Sequence, residues 1–210
     1  MRQLHIKLLP IIIILMVPVT GDTGETGSAT ESFFLQLPDD GIAITHGGNM
    51  ALAAGPPGIA LLKEAHVKDG LALLAKLRDA NNEVIGFASE LETFPAGADL
   101  LSDGVIWDTD WTVMIPGRGS LYLREQEHSG ELGAKVIIPV QETGTAWHGD
   151  WTVTTTVGPR PDGYGVIVGG AGEFAGATGK FLEIVTLTGF EPGGVMIGRV
   201  ELRLTFNPRQ

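Results

Sequence analysis

Three groups of residues in this 210-residue chain have the types and spacing that chemistry can use. The first is Gly169-Gly170-Ala171-Gly172-Glu173-Phe174-Ala175-Gly176-Ala177-Thr178-Gly179-Lys180, reached from the apolar Val166-Ile167-Val168. Glycines after a strand let a backbone approach a pyrophosphate, but a dinucleotide site also needs a helix to follow. Here Lys180 to Thr188 is rich in β-branched residues, and too little chain remains to complete such a unit. A phosphate P-loop fails too, because Phe174 stands where its first glycine is required. The stretch instead reads as a tight link between strands, with Phe174 tucked under a sheet. The second group, Glu125, Glu127, His128 and Glu131, could collect a divalent cation, although a solvated turn is the simpler reading. The third is the set of four tryptophans, Trp107, Trp111, Trp147 and Trp151, in two pairs spaced by four. His148 and Asp150 share a strand face but lack a third metal ligand. No HExxH, GxSxG or Ser-His-Asp arrangement can be assembled, so hydrolase chemistry and a metal site are not expected.

The elements that must position these groups are short strands. Leu71–Arg78 and Glu83–Phe94 flank Asp79-Ala80-Asn81-Asn82, a hairpin turn in which Asn tolerates positive φ. Gly104–Ile115 and Gly119–Glu127 flank Pro116-Gly117-Arg118, a second hairpin. Ala134–Glu142, Trp147–Val157, Tyr164–Val168, Phe181–Thr188 and Val195–Phe206 follow, which makes nine candidate strands. In the last, Met196, Val200, Leu202, Leu204 and Phe206 alternate with Ile197, Arg199, Glu201 and Arg203. The same alternation puts all four tryptophans on inward faces, Tyr122 outside, and Tyr164 inside with Val166 and Val168. Strands with one polar and one apolar face are best closed on themselves, which removes exposed edges. The expectation is an all-β protein, an eight- or nine-stranded antiparallel β-barrel with an irregular N-terminal extension.

Composition narrows the class further. A net charge of −11 repels a phosphate backbone, which excludes nucleic-acid partners, and the absence of cysteine excludes thiol and disulfide chemistry. Arg2 and Lys7 precede an apolar run from Leu8 to Val19, the layout of a secretory signal over residues 1–21. Pro10 and Pro18 interrupt that run, and it is shorter than a spanning helix needs, so export is expected, with membrane anchoring by residues 8–19 as the alternative. Residues 22–32 read as a flexible linker, 33–70 as an irregular flank with at most short strands or a short helix near Ile59–His66, and 71–210 as the barrel.

The run from Gly169 to Phe181 resembles the GGxGxFxGAxG signature of the allene oxide cyclase and dirigent families, whose members are eight-stranded antiparallel barrels. The likeness extends back through His148-Gly149-Asp150-Trp151 and Gly158-Pro159, covering about Trp147 to Phe181. It implies an apolar lumen in which an unsaturated epoxide closes into a ring without a cofactor, aided by a glutamate on the first barrel strand. The matching stretch is Ser89-Glu90-Leu91-Glu92, with Glu90 as the acid and Glu92 where the family has asparagine. The apolar alternation of Ile85, Phe87 and Leu91 favours turning both glutamates to solvent. If they instead face inward, burial would raise their pKa and let them donate a proton or stabilise charge. Phe87, Trp107, Trp111, Trp147, Trp151, Met196 and Phe206 are candidates to line the lumen and hold a small apolar molecule, with plain core as the competing reading. The expected job is that of a cyclase or isomerase. The alternatives are a non-catalytic carrier or dirigent-like guide, and a filled structural barrel. The resemblance also implies a homo-oligomer, a dimer or a trimer.

Overall fold

The computed structural model describes residues 28–47 and 61–208. The signal segment expected over residues 1–21, and most of the linker read after it, lie outside the described residues. Among the described residues eleven strands form one sheet: β1 (Ala29–Leu37), β2 (Gly41–His46), β3 (Gly70–Arg78), β4 (Val84–Thr93), β5 (Trp107–Ile115), β6 (Gly119–Glu127), β7 (Trp147–Thr154), β8 (Thr156–Gly158), β9 (Gly165–Gly172), β10 (Gly179–Phe190) and β11 (Met196–Phe206). Eight of them run in the order β1-β11-β10-β9-β6-β5-β4-β3, and the ring closes where Phe34 of β1 meets Arg78 of β3. The barrel is antiparallel throughout, with β2, β7 and β8 added to it. Both expected hairpins are present, the first with Asn82 at φ 66°.

The barrel starts earlier than the sequence suggests. Residues 29–32, read as linker, begin β1, which pairs with β11 along its whole length from Ala29 opposite Phe206 to Leu37 opposite Gly198. The stretch read as an irregular flank supplies the rest of β1 and all of β2, and no helix forms over residues 61–66. The closure is clamped by Asp40 in the β1–β2 turn. Arg78 of β3 donates from Nε and an Nη to its two carboxylate oxygens at 2.7 and 2.8 Å, and Asp40 accepts the Gln36 N–H at 2.7 Å. Replacing Asp40 with Asn keeps the shape but removes the charge that holds the guanidinium. The expected cost is about 2 kcal/mol in urea unfolding, with the slope unchanged.

Ala134–Glu142 is helical, not a strand. A wide π turn, Gly133–Ile137, leads into a short helix α1, Ile138–Thr143, with Pro139 in its first turn and Gly144 closing it at φ 64°. Proline cannot serve a strand ladder but suits the first helical turn, and the β-branched residues are held by packing. Val136, Ile137, Val140 and Phe190 form a small core against Trp147 and Trp151.

Strand parity also corrects two expectations. On β4, Phe87 and Leu91 point outward, 46% and 55% exposed, so the face that looked like core faces solvent. On β9 the buried residues are Gly165 and Ile167, while Val168 lies outside and Tyr164, just before the strand, carries the Lys180 ammonium 3.7 Å above its ring. One end of the barrel is solid, filled by Phe33, Leu35, Leu77, Val113, Phe181 and Leu202 among others. Phe174, from the glycine-rich link, plugs that end, stacked on Phe206 at 6.3 Å with Arg118 over its ring. Gly170 is required there, because a Cβ at that position would lie 2.7 Å from the Phe174 Cβ and from its carbonyl oxygen.

Candidate functional site

Above the solid end the barrel interior turns acidic. On β4, Gly86 packs so tightly on β5 that a Cβ would sit 2.1 Å from the Met114 carbonyl oxygen. This fixes Gly86, Ala88, Glu90 and Glu92 as the inward face. On β6 the face that buries Leu121 and Leu123 continues into Glu125 and Glu127, and on β10 Glu183 follows Phe181. Cross-strand pairing puts them in register: Glu92 opposite Thr109, Thr109 opposite Glu125, Glu90 opposite Trp111 and Trp107 opposite Glu127. Five carboxyl groups therefore meet inside one barrel.

The wall around them is split and clasped. β9 covers β10 only over Gly179–Phe181, and β7 takes over from Ile184 to Phe190, while β8 pairs with β6 at Gln126 and Glu127. The link between β7 and β8 crosses this split. Thr155 donates its N–H to the Glu183 carbonyl at 3.1 Å. The Thr156 hydroxyl accepts the Glu183 N–H at 2.6 Å and donates to Glu125 Oε2 at 2.5 Å. The Trp111 indole N–H divides itself between Glu125 at 3.0 Å and Glu183 at 3.2 Å. These donors do not satisfy the cluster. Glu127 Oε1 and Thr109 Oγ1, in residues 2% and 1% exposed, find no hydrogen-bond partner, and the Trp107 N–H points toward Glu92 without closing a well-formed bond.

Burial without cations sets the charge state. Desolvation, then repulsion by Glu183, pushes Glu90, Glu125 and Glu127 well above the ordinary carboxyl range. The same two causes take Glu92 up to about 8, with Trp107 and Glu90 partly opposing them. Glu183 is raised by burial too, but contacts from Glu127, Glu125, Thr155 and Trp111 favour its ionised form. The cluster thus favours ionisation at Glu183 over its neighbours, and Glu92, at about 8, keeps its proton at neutral pH.

A cavity of about 520 Å³ lies on top of this floor. Glu90, Glu92, Glu127 and Glu183 form its base, and its walls include Leu71, Leu73, Phe94, Trp107, Trp151 and Met196. Among the described residues that line it there is no Lys or Arg, and His128 is the one basic side chain. In this half the barrel is hollow between the described residues.

Of the residues singled out from sequence, Glu90, Glu92, Trp107, Trp151 and Met196 come together around this cavity. Glu90 and Glu92 face inward, against the apolar alternation of their strand. Trp111 sits below the cavity as a donor to the cluster, and Trp147 packs behind the wall on Val136, Ile137 and Phe190. Phe87 is outside the barrel, and Phe206 is at the plugged end, so neither reaches the cavity. Glu125 and Glu127 are interior residues and not part of a solvated turn. Glu183 escaped notice. Its signal was parity: two residues after a buried Phe181, it had to share that face.

The chain matches no family model, and no curated protein matches it.

Proposed function

We propose that the barrel encloses a small apolar molecule and rearranges it by an intramolecular ring closure or isomerisation, without a cofactor, using the carboxyl floor as acid and counter-charge. One observation carries this reading: carboxyls raised by burial lie beneath apolar walls, and Glu92, at about 8, can donate a proton there at neutral pH. Glu92 is the donor. Its proton passes to an oxygen of the molecule as a carbon–oxygen bond breaks and the bonding pair stays on oxygen. The carbon cation left behind is countered by Glu183 and its neighbours, a carbon–carbon bond closes the ring, and the proton on oxygen returns to Glu92. Atoms and charge balance, so the net change is an isomerisation.

The allene oxide cyclase-like run from Trp147 to Phe181 supports the same class of reaction, and the Arg2/Lys7 pattern ahead of an apolar run supports export. The outward Phe87, Leu91, Met114 and Tyr122 form the apolar face that a dimer or trimer of this chain would cover.

The test is turnover of unsaturated epoxides, with the cyclised product resolved by chiral chromatography. Glu92→Gln is expected to lower kcat by about 10²–10⁴ with KM little changed. Epoxides that bind but are not turned over by the unaltered protein would make the barrel a carrier.

A further inference from the structure

The chemistry of the floor also selects what the cavity accepts. Glu90, Glu127 and Glu183 each present one carboxyl oxygen within 4.8 Å of the others, and all three line the cavity. Because all three oxygens lie within 4.8 Å of one another, a point between them lies no more than about 2.8 Å from each, within reach of an N⁺–H···O⁻ bond. Glu127 Oε1 is buried and has no donor. The cavity lining includes no Lys or Arg, so a bound cation would let these carboxyls give up the protons that burial makes them hold. A ligand carboxylate placed here would add one more acid to a desolvated site that has no cation, and a hydroxyl has one O–H donor for three oxygens. An ammonium brings three N–H donors and the missing charge at once. The Trp107 and Trp151 rings beside the floor suit a cation and the carbon chain attached to it. A bare divalent ion could use the three oxygens but would leave the apolar walls unoccupied.

We infer that the molecule taken by this barrel is a lipophilic amine, with its ammonium held by Glu90, Glu127 and Glu183 and its carbon body lying along the Trp107, Trp151, Phe94 and Leu73 walls. This rests on the proposal that the cavity encloses an apolar molecule, and adds the class of that molecule.

Displacement of the neutral dye Nile red from the full chain at neutral pH tests it, with decylamine, 1-decanol and decanoic acid as competitors of equal chain length. Decylamine is expected to compete about tenfold or more better than decanol, and decanoic acid worst. Glu127→Gln should bring decylamine to within about threefold of decanol. Glu90→Gln, checked for folding by circular dichroism, provides the same readout should the first variant not fold. Decylamine no better than decanol overturns the inference and leaves the apolar cavity standing, as does a preference that survives both substitutions. Loss of the amine preference on adding about 1 mM Ca²⁺ or Mn²⁺ also overturns it, since the three oxygens would then be a metal site. Failure of Nile red to bind at all overturns this inference together with the enclosed-ligand reading.

Discussion

The protein is expected to be most stable near pH 5 and to lose stability steadily as the solution is made alkaline, the reverse of a fold held by ionised carboxylates. The sign follows from the floor. Glu90, Glu92, Glu125 and Glu127 have folded-state pKa values raised above the unfolded value near 4.5, so between that pH and their own pKa the folded chain binds more protons than the unfolded one. Their stabilising contribution is complete below the unfolded value and is lost as pH rises through the folded values. For Glu92, with a folded value of about 8, ionising the group in place costs on the order of 5 kcal/mol, an upper figure because it faces the cavity. For a chain of this size, that corresponds to a fall in Tm on the order of 10 °C between about pH 5 and pH 9. Below pH 5 the trend turns, because Asp40 and Glu201 are held below their ordinary values by their arginine partners despite the opposing effect of burial. Calorimetry across this range, with Glu90→Gln as a second protein, separates the floor from the general repulsion of a chain carrying −11 charges. The variant should show a shallower alkaline slope, while Glu131→Gln on the exposed surface should not. A Tm that is flat or rising from pH 5 to pH 9 would mean that these four carboxyls are not neutralised by protons.

Hydrophobic alternation made the barrel legible but misplaced its chemistry, for one physical reason. Trp107, Trp111 and Val113 on β5, and Val200, Leu202 and Leu204 on β11, obey the rule that the apolar face is the inner face, and the structure agrees. On β4 the rule inverts. Its inner face is Gly86, Ala88, Glu90 and Glu92, small where β4 presses against β5 and acidic where the cavity begins. The more apolar residues Phe87 and Leu91 were left for the outside. A sequence reading that weighs charge above parity must send such glutamates to solvent, and it did so for Glu125 and Glu127 although they continue the Leu121 and Leu123 face without a break. A buried acid is tolerated only where neighbours hold its proton or its charge, and those neighbours, Thr156, Trp111 and Glu183, come from strands far apart in sequence. No local window contains them. β1 was hidden differently: Ala29 to Ser32 is polar and small, and only pairing with β11 makes it a strand. The helix at Ile138–Thr143 was concealed by its β-branched residues, and Pro139 was the signal against a strand.

The glycine-rich link supplies the other large effect, and it tests whether floor and plug are separate parts. Phe174 is 4% exposed and packs into the solid end with Phe206 and the Arg118 guanidinium, on the far side of the carboxyl layer from the cavity. Truncating it to alanine removes a buried aromatic ring from a site that cannot collapse, because Gly170 and the backbone of Ser120 already stand in close contact there. The expected loss is about 3–5 kcal/mol in denaturant unfolding, enough to lower Tm by roughly 10 °C. Arg118 also forms ion pairs with Glu31 and Glu173, so it stays anchored when the ring is gone, and the cost should be one of packing, insensitive to salt. Neither Phe174 nor Phe206 lines the cavity. Well below its melting temperature, Phe174→Ala should therefore bind Nile red as the unaltered protein does and keep the same order among amine, alcohol and acid. A variant that keeps its stability would show that the plug is ornamental to the fold. One that loses stability and dye binding together would show that the two ends of the barrel are a single packed unit, with the carboxyl layer a bridge between them and not a boundary.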